Sequence, residues 1–333
     1  MSTLLLLFFS CLAIVAAFPE RHAKHNRSSF SHALIRCSGF YDDDEKSLIV
    51  VDSSYDPSFK ICVYSPIDDI YVSKSILLNE GLHALKDLEL LHKTLGDPLP
   101  DGKKKIVVDV GANIGVFSNF FGRLGYEVMS YEPVIGNYRK LALSACINYH
   151  MYGTNIVSKN LAVSNVVGNS VEMIITSYNR GHSAVASKTT VENFFILEKL
   201  KDQFKTQTRK VLTTTIDSEL SNLCSRNIRV DLFKIDVEGY EGFVIAGSKS
   251  ILSKCPPKFI FIEILKTWID GHGFEMDTLQ IFLLLKSMNY SLIMATNNRI
   301  KNLDFWKSEE GIKDYVKNIK SDQWDDYLLQ SNV

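Results

Sequence analysis

The 333-residue chain is long enough for one large domain or two ordinary ones, and 46% hydrophobic with 23% charged residues is the balance of a folded globular protein. A formal net charge of -1, with no basic stretch interleaved with aromatics, gives no electrostatic reason to expect nucleic acid or another polyanion as partner.

Leu4 to Ala17 is an apolar run with the length of a secretory core region, and it ends in the small residues Val15-Ala16-Ala17. It predicts a signal peptide over 1–17, cleaved before Phe18, and so a secreted or lumenal protein. Lys and Arg are absent ahead of the run, and the alternative is an uncleaved segment that anchors the chain to a membrane. The run is short of the roughly 20 apolar residues of a membrane span, so no stable span is expected after cleavage. Residues 18–37 read as a polar, basic leader. Six cysteines are present, and Cys11 leaves with the signal. Cys37 and Cys62 flank an expected hairpin and are candidates for a bridge, whereas Cys146 on an apolar helix face reads as a small buried hydrophobe. Sequons at Asn26 and Asn289 matter if the chain enters the secretory pathway, where it would become a glycoprotein.

Residues 38–104 are predicted as a small α+β extension. Ser38–Val51 and Phe59–Tyr64 read as strands around a turn-rich Asp52–Pro57, and Val72–Gly96 has helical periodicity that ends at Gly96 and Pro98. From residue 105 to 306, strands and helices alternate. The strands are Ile106–Val110, Glu127–Tyr131, Ile156–Asn160, Val171–Thr176, Val211–Thr215, Leu232–Ile235, Lys258–Ile264 and Tyr290–Ala295. The last is expected to close against Asn302–Trp306. The intervening helices are Val116–Leu124, Ile135–Tyr149, Val191–Phe204, Phe243–Leu252 and Thr278–Lys286. This order predicts an α/β fold with a parallel sheet and helices on both faces. Residues 307–333 read as a charged, aromatic tail without an assigned fold.

The functional signal is IVVDVGANIG at Ile106–Gly115, a buried strand running into a glycine turn, followed about twenty residues on by Glu132 at the tip of the next strand. A glycine turn after one strand and a carboxylate after the next is how open α/β sheets hold a nucleoside. Gly111 and Gly115 are the positions where a ligand is expected to approach the backbone. A dinucleotide turn needs a middle glycine to admit a diphosphate, and it is missing here. Asp109, two residues before Gly111, also disfavours a diphosphate and favours a cation. S-adenosylmethionine, with a sulfonium, an ammonium and no phosphate, fits better than a nicotinamide cofactor.

VVDVGANIGVFS, SYEP at Ser130–Pro133, AVS at Ala162–Ser164, TTTID at Thr213–Asp217, FKIDVEGYE at Phe233–Glu241 and FIEI at Phe261–Ile264 together resemble the FkbM family of S-adenosylmethionine-dependent methyltransferases, over roughly residues 105–300. The resemblance implies a class I methyltransferase (Rossmann-like) fold, a seven-stranded sheet with its last strand antiparallel. It also implies methylation of hydroxyl groups on small molecules or glycans. By position, Asp109, Gly111, Asn113 and Gly115 would line the turn and the methionine end. Glu132 would hold the ribose hydroxyls, Asn160 and Ala162 would lie beside adenine, and Asp236 would face the methyl or the methionine amino group. Glu132, before Pro133, also suits a helix N-terminus, and both roles can coexist.

A hydroxyl acceptor must be placed in line with the methyl and lose its proton. Asp236, Glu238, Glu263 and His182 are the candidate bases or orienting groups. Asp236 and Glu238 sit at the ligand-binding edge of the sheet, although Glu238 equally suits a helix cap before Tyr240. Glu263 ends a very apolar strand, where a carboxylate is costly unless paired or facing a cleft. His182 lies in a glycine-containing loop and titrates near neutrality. No metal is expected, since no His-x-x-x-His spacing occurs. Tyr178, Phe194, Phe195 and Trp268 are candidate aromatic contacts for a sugar, with core packing the alternative and preferred use of Phe194 and Phe195. An expected secreted chain also admits a reading from another class, a catalytically silent binding protein on a methyltransferase scaffold, because the methyl donor is made in the cytosol.

Overall fold

The computed structural model describes residues 27–40, 48–78, 84–98, 104–176, 183–187, 206–295, 303–320 and 324–333. The expected signal peptide, the Asn26 sequon, His182, Tyr178 and the expected helix Val191–Phe204 lie outside them. Helix α1 (Arg27–Arg36) is followed by a hairpin of β1 (Ile49–Asp52) and β2 (Lys60–Val63), paired antiparallel from Ile49↔Val63 to Asp52↔Lys60. The stretch read as one helix is two, α2 (Val72–Leu78) and α3 (Leu85–Leu95). Phe59 and Ile61 of the hairpin join Phe120 and Phe121 in one buried cluster, so the extension shares a core with the rest of the chain.

The main sheet uses β3 (Ile106–Val110), β4 (Glu127–Tyr131) and β5 (Asn155–Lys159), joined through α4 (Val116–Arg123) and α5 (Ile135–Tyr152). After β5 come β6 (Ala162–Val163), β7 (Ser170–Thr176), β8 (Ala184–Val185) and β9 (Thr206–Thr214), then α6 (Ile216–Ser225). The second half holds β10 (Leu232–Ile235), α7 (Glu241–Ala246), α8 (Lys249–Lys254), β11 (Phe259–Leu265), α9 (Lys266–Gly271) and α10 (Thr278–Ser287). It closes with β12 (Tyr290–Ala295), α11 (Glu309–Asn318) and β13 (Trp324–Ser331). The seven-stranded order is β12-β13-β11-β10-β3-β4-β5, with β13 antiparallel to both neighbours and the pairs from β11 to β5 parallel.

The central strands are apolar at nearly every position because both faces are covered. Alternation divides them between two cores. Val107, Leu232, Phe259 and Phe261 face the side of α4 and the hairpin, whereas Val108, Phe233, Ile260 and Ile262 face the side of α6, α7 and α10.

Three expectations are corrected. Asp304–Lys307 is a 3-10 turn whose Trp306 Nε1 donates to the Tyr290 carbonyl at 3.0 Å, and the closing strand is β13, from the segment that carried no assignment. The segments β6 to β9 do not extend the main sheet. They form a four-stranded sheet in the order β6-β9-β7-β8, with β7 antiparallel to β8 and β9, which suits the polar alternation of their sequence. Finally, Cys37 pairs with Cys146 and Cys224 with Cys255, and the buried Cys62 is in neither of these disulfides. Helix α1, which ends just before Cys37, packs on α5, which brings the Cys37 and Cys146 Cα atoms to 5.9 Å. On β2 the Cys62 amide instead donates to Ser144 Oγ of α5 at 2.8 Å.

Candidate active site

The turn after β3 is built to meet the tip of β4. The amides of Gly111 and Ala112 donate to the Tyr131 carbonyl at 3.0 and 3.1 Å, which folds the chain across the strand end. Gly111 has φ 77, and a Cβ there would stand 1.7 Å from the Asp236 carbonyl oxygen, so glycine is required by the neighbouring loop. Asn113 follows at φ 52 with its own Oδ1 accepting from the Ile114 amide at 2.8 Å, a local bond that supports the left-handed turn.

This conformation aims the Asn113 amide at Glu132. Glu132 Oε2 accepts from it at 2.8 Å, and Oε1 accepts from the Val134 amide at 2.9 Å, just ahead of α5. The carboxyl is also bonded to Asn137, whose Oδ1 accepts from Tyr64 Oη of the extension at 2.9 Å. Burial pushes Glu132 up to about 7, against the lowering pull of the Val134 and Asn113 amides and of Lys234. Glu132 accepts from the amide ahead of α5 and lines a cleft of about 660 Å³.

Gly111, Asn113, Glu132, Ala162 and Asp236 all line that cleft. Asp109, Gly115 and Asn160 do not. Asp109 is fully buried, accepts from Ser118 Oγ at 2.6 Å and pairs with Lys234 Nζ at 3.1 Å. Register decides this, because Asp109 and Lys234 are direct partners on the parallel strands β3 and β10. Its charge is spent inside the protein and is not offered to a ligand. A Cβ on Gly115 would stand 2.5 Å from Leu141 Cδ1, so that glycine serves the packing of α4 on α5. Asn160 Nδ2 donates to the carbonyls of Glu132 and Pro133 at 2.9 and 2.8 Å, which braces the turn from behind.

Asp236, Glu238 and Glu263 converge on the cleft from two neighbouring strand ends. Asp236 is 38% exposed and lies 3.3 Å from Lys234 Nζ. Burial works to lower Lys234, and Asp109 and Asp236 more than reverse it, so the ammonium stays charged between them. Glu238 stands at φ 55 and is not a helix cap; α7 starts at Glu241 after Tyr240, with no side-chain cap. Burial pushes Glu263 well above the usual carboxylate range, and Asp236, Glu238 and Asp326 push it further. Asp326 faces Glu263 across the β11–β13 pairing and lines the same cleft.

Residues 109–292 match the methyltransferase FkbM domain. The chain belongs to the FkbM methyltransferase family. Its sheet order is that of the class I methyltransferase fold, with β13 as the antiparallel strand. Among solved structures, the chain is similar to magnesium protoporphyrin IX methyltransferase from Synechocystis PCC 6803 with bound SAM, at 9% identity over 79% of this chain and 84% of that chain, with a TM-score of 0.40. It is also similar to TehB from Haemophilus influenzae, at 11% identity over 78% of this chain and 66% of that one, with a TM-score of 0.38. A third is the 16S rRNA N2 G1207 methyltransferase of T. thermophilus in complex with AdoMet and guanosine, at 10% identity over 86% and 51%, with a TM-score of 0.36. No curated protein matches the chain by sequence.

Four residues of this FkbM domain and its flanks escape the sequence reading. Lys234 carried a signal, since a lysine inside an apolar strand requires an acid beside it. Asn137 and Tyr64 lie 73 positions apart and meet only when the extension packs on α5. Asp326 sits in the segment without an assigned fold, and pairing with β11 alone brings it to the cleft.

Proposed function

We propose that this FkbM-family chain is an S-adenosylmethionine-dependent O-methyltransferase acting on a hydroxyl of a small molecule or glycan. The observation that carries the reading is Glu132. Its carboxyl is held by two backbone amides at the tip of β4, lines the cleft and is oriented before any ligand arrives. Such a carboxylate suits the two hydroxyls of a ribose. Gly111, Ala112 and Asn113 supply a backbone wall, and Ala162 leaves room beside it for a flat base.

Charge supports the same reading. Asp87, Asp236, Glu238 and Asp326 line the cleft beside Glu132 and Glu263, whose carboxyls burial pushes toward the neutral form, and Lys234 is the one cation among its described lining residues. With Lys234 committed to Asp109 and Asp236, the cleft suits a ligand of positive charge and repels diphosphates. Bound there, S-adenosylmethionine supplies a methyl group carried on sulfonium. The acceptor side of the chemistry falls to the protein. Asp236 and Glu238 accept from the acceptor hydroxyl and orient it, beside Glu263, whose burial favours its protonated form. The acceptor is neutral or cationic, since a phosphate or carboxylate there would meet these acids.

The disulfides Cys37–Cys146 and Cys224–Cys255 support an oxidising compartment, in line with the expected secretory signal. Calorimetry with S-adenosylhomocysteine tests the cofactor reading. Saturable binding is expected for the native protein and its loss for Glu132→Ala; no binding by the native protein overturns the reading. Methyl release on a panel of neutral, amino and phosphorylated hydroxyl compounds, with Asp236→Asn as control, tests the acceptor class.

A further inference from the structure

Glu241 is 1% exposed, forms no part of the cleft wall and still touches the loop that forms it. It opens α7 and turns back, so that Oε1 accepts from the amides of Val237 at 3.1 Å and Gly239 at 3.2 Å. Those amides flank Glu238. Glu238 stands at φ 55 and Gly239 at φ 93, two left-handed residues in succession. A residue with a side chain takes that conformation only where its surroundings impose it. Behind Gly239 there is no slack, because a Cβ would stand 2.6 Å from Trp268 Cβ.

Only one oxygen of Glu241 is engaged. Oε2 is buried and has no hydrogen-bond partner among the described residues. Burial pushes the group up to about 8, against the lowering pull of the amides of Glu241, Val237 and Gly239, so at neutral pH it is mainly the neutral acid. A neutral carbonyl oxygen accepts two N–H groups as an amide oxygen does.

We propose that Glu241 is the positioning residue of the acceptor end. It fixes the Asp236–Gly239 loop through the reach of one oxygen, which accepts from the Val237 and Gly239 amides, and so aims Asp236 and Glu238 into the cleft. The inference deepens the methyltransferase reading, and its test has one readout that does not depend on that reading.

Glu241→Gln keeps the length and the accepting oxygen and removes the ionisable group. Glu241→Asp keeps the ionisable group and withdraws the oxygen by one methylene. Amide hydrogen exchange at Val237 and Gly239 is expected to stay at the native rate in Glu241→Gln and to speed up about tenfold in Glu241→Asp, as for one lost hydrogen bond. Because Asp236 is also the residue expected to face the methionine amino group, S-adenosylhomocysteine is expected to bind Glu241→Gln within about twofold of the native protein, and Glu241→Asp more weakly by about tenfold or more. Unprotected amides in Glu241→Gln, its failure to fold, or native protection in Glu241→Asp overturns the inference. If the native protein fails to bind the probe while the exchange pattern holds, the cofactor reading falls and the positioning role stands.

Discussion

At Glu132 the amides of Asn113 and Val134 meet a carboxyl that burial has pushed up to about 7. A raised folded pKa in an acid means that its contribution to stability is complete below the unfolded value near 4.5 and is lost as pH rises through about 7. A ligand hydroxyl prefers the ionised form, because hydrogen bonds to charged acceptors are the stronger ones. Affinity for S-adenosylhomocysteine is therefore expected to climb between about pH 6 and about pH 8, by at most about tenfold per unit, and to stay flat in Glu132→Gln. Titration calorimetry across that range reads it, and a flat native profile removes the assignment. Lys234 tests the residue scale differently. Replacing it with Met leaves Asp109 fully buried without its partner ammonium. A loss of about 3–5 kcal/mol in urea unfolding is expected, as for a broken buried ion pair.

Two elements reach the site from outside the sheet. The hairpin of β1 and β2 is bonded to α5 through Asn148, which accepts from the Lys60 amide at 2.8 Å and donates to the Lys60 carbonyl at 2.7 Å. Farther along, Tyr64 Oη reaches Asn137 and through it Glu132. The extension thus braces the β4 tip as well as walling the cleft with Tyr55, Tyr71 and Ile76. The Cys37–Cys146 bridge ties α1 to the same helix across 109 positions. Changing both cysteines to serine is expected to lower stability by about 2–4 kcal/mol, read by denaturant unfolding without reductant. A mass map of the oxidised protein is expected to show the Cys37–Cys146 peptide; a Cys37–Cys62 peptide would contradict the packing of α1 on α5.

For the whole molecule the decisive piece is β13. It lies between β12 and β11 and contributes Tyr327, Leu328 and Leu329 to the core, with Leu328 on one face of the sheet and Tyr327 and Leu329 on the other. It also carries Asp326 into the cleft. A chain ending at residue 323 would expose the hydrogen-bonding edges of β11 and β12 and both apolar faces beside them. Such a truncation is expected to be insoluble or to lose cooperative melting; a soluble, cooperatively melting product would show that the sheet closes without it.

Local chemistry decided much of this. The strands β3, β10 and β11 are buried on both faces and apolar at most positions, so strand identity was legible without any partner. The same holds for the turn at Gly111, for Glu132 at a strand tip and for the carboxylates Asp236, Glu238 and Glu263, whose places follow from where their strands end. What was not legible depends on which elements become neighbours. Asp109 looked like a ligand for a cation until register set Lys234 beside it. Gly115 looked like a ligand contact until α5 packed against it. Cysteine pairing, the Tyr64–Asn137 link and the place of β13 are all contacts between residues distant in sequence, and periodicity carries no information about them. The sequence alone determined the strand tips that border the cleft; only the tertiary structure decided which charges line that cleft and which are buried away from it, because that depends on which strands become neighbours.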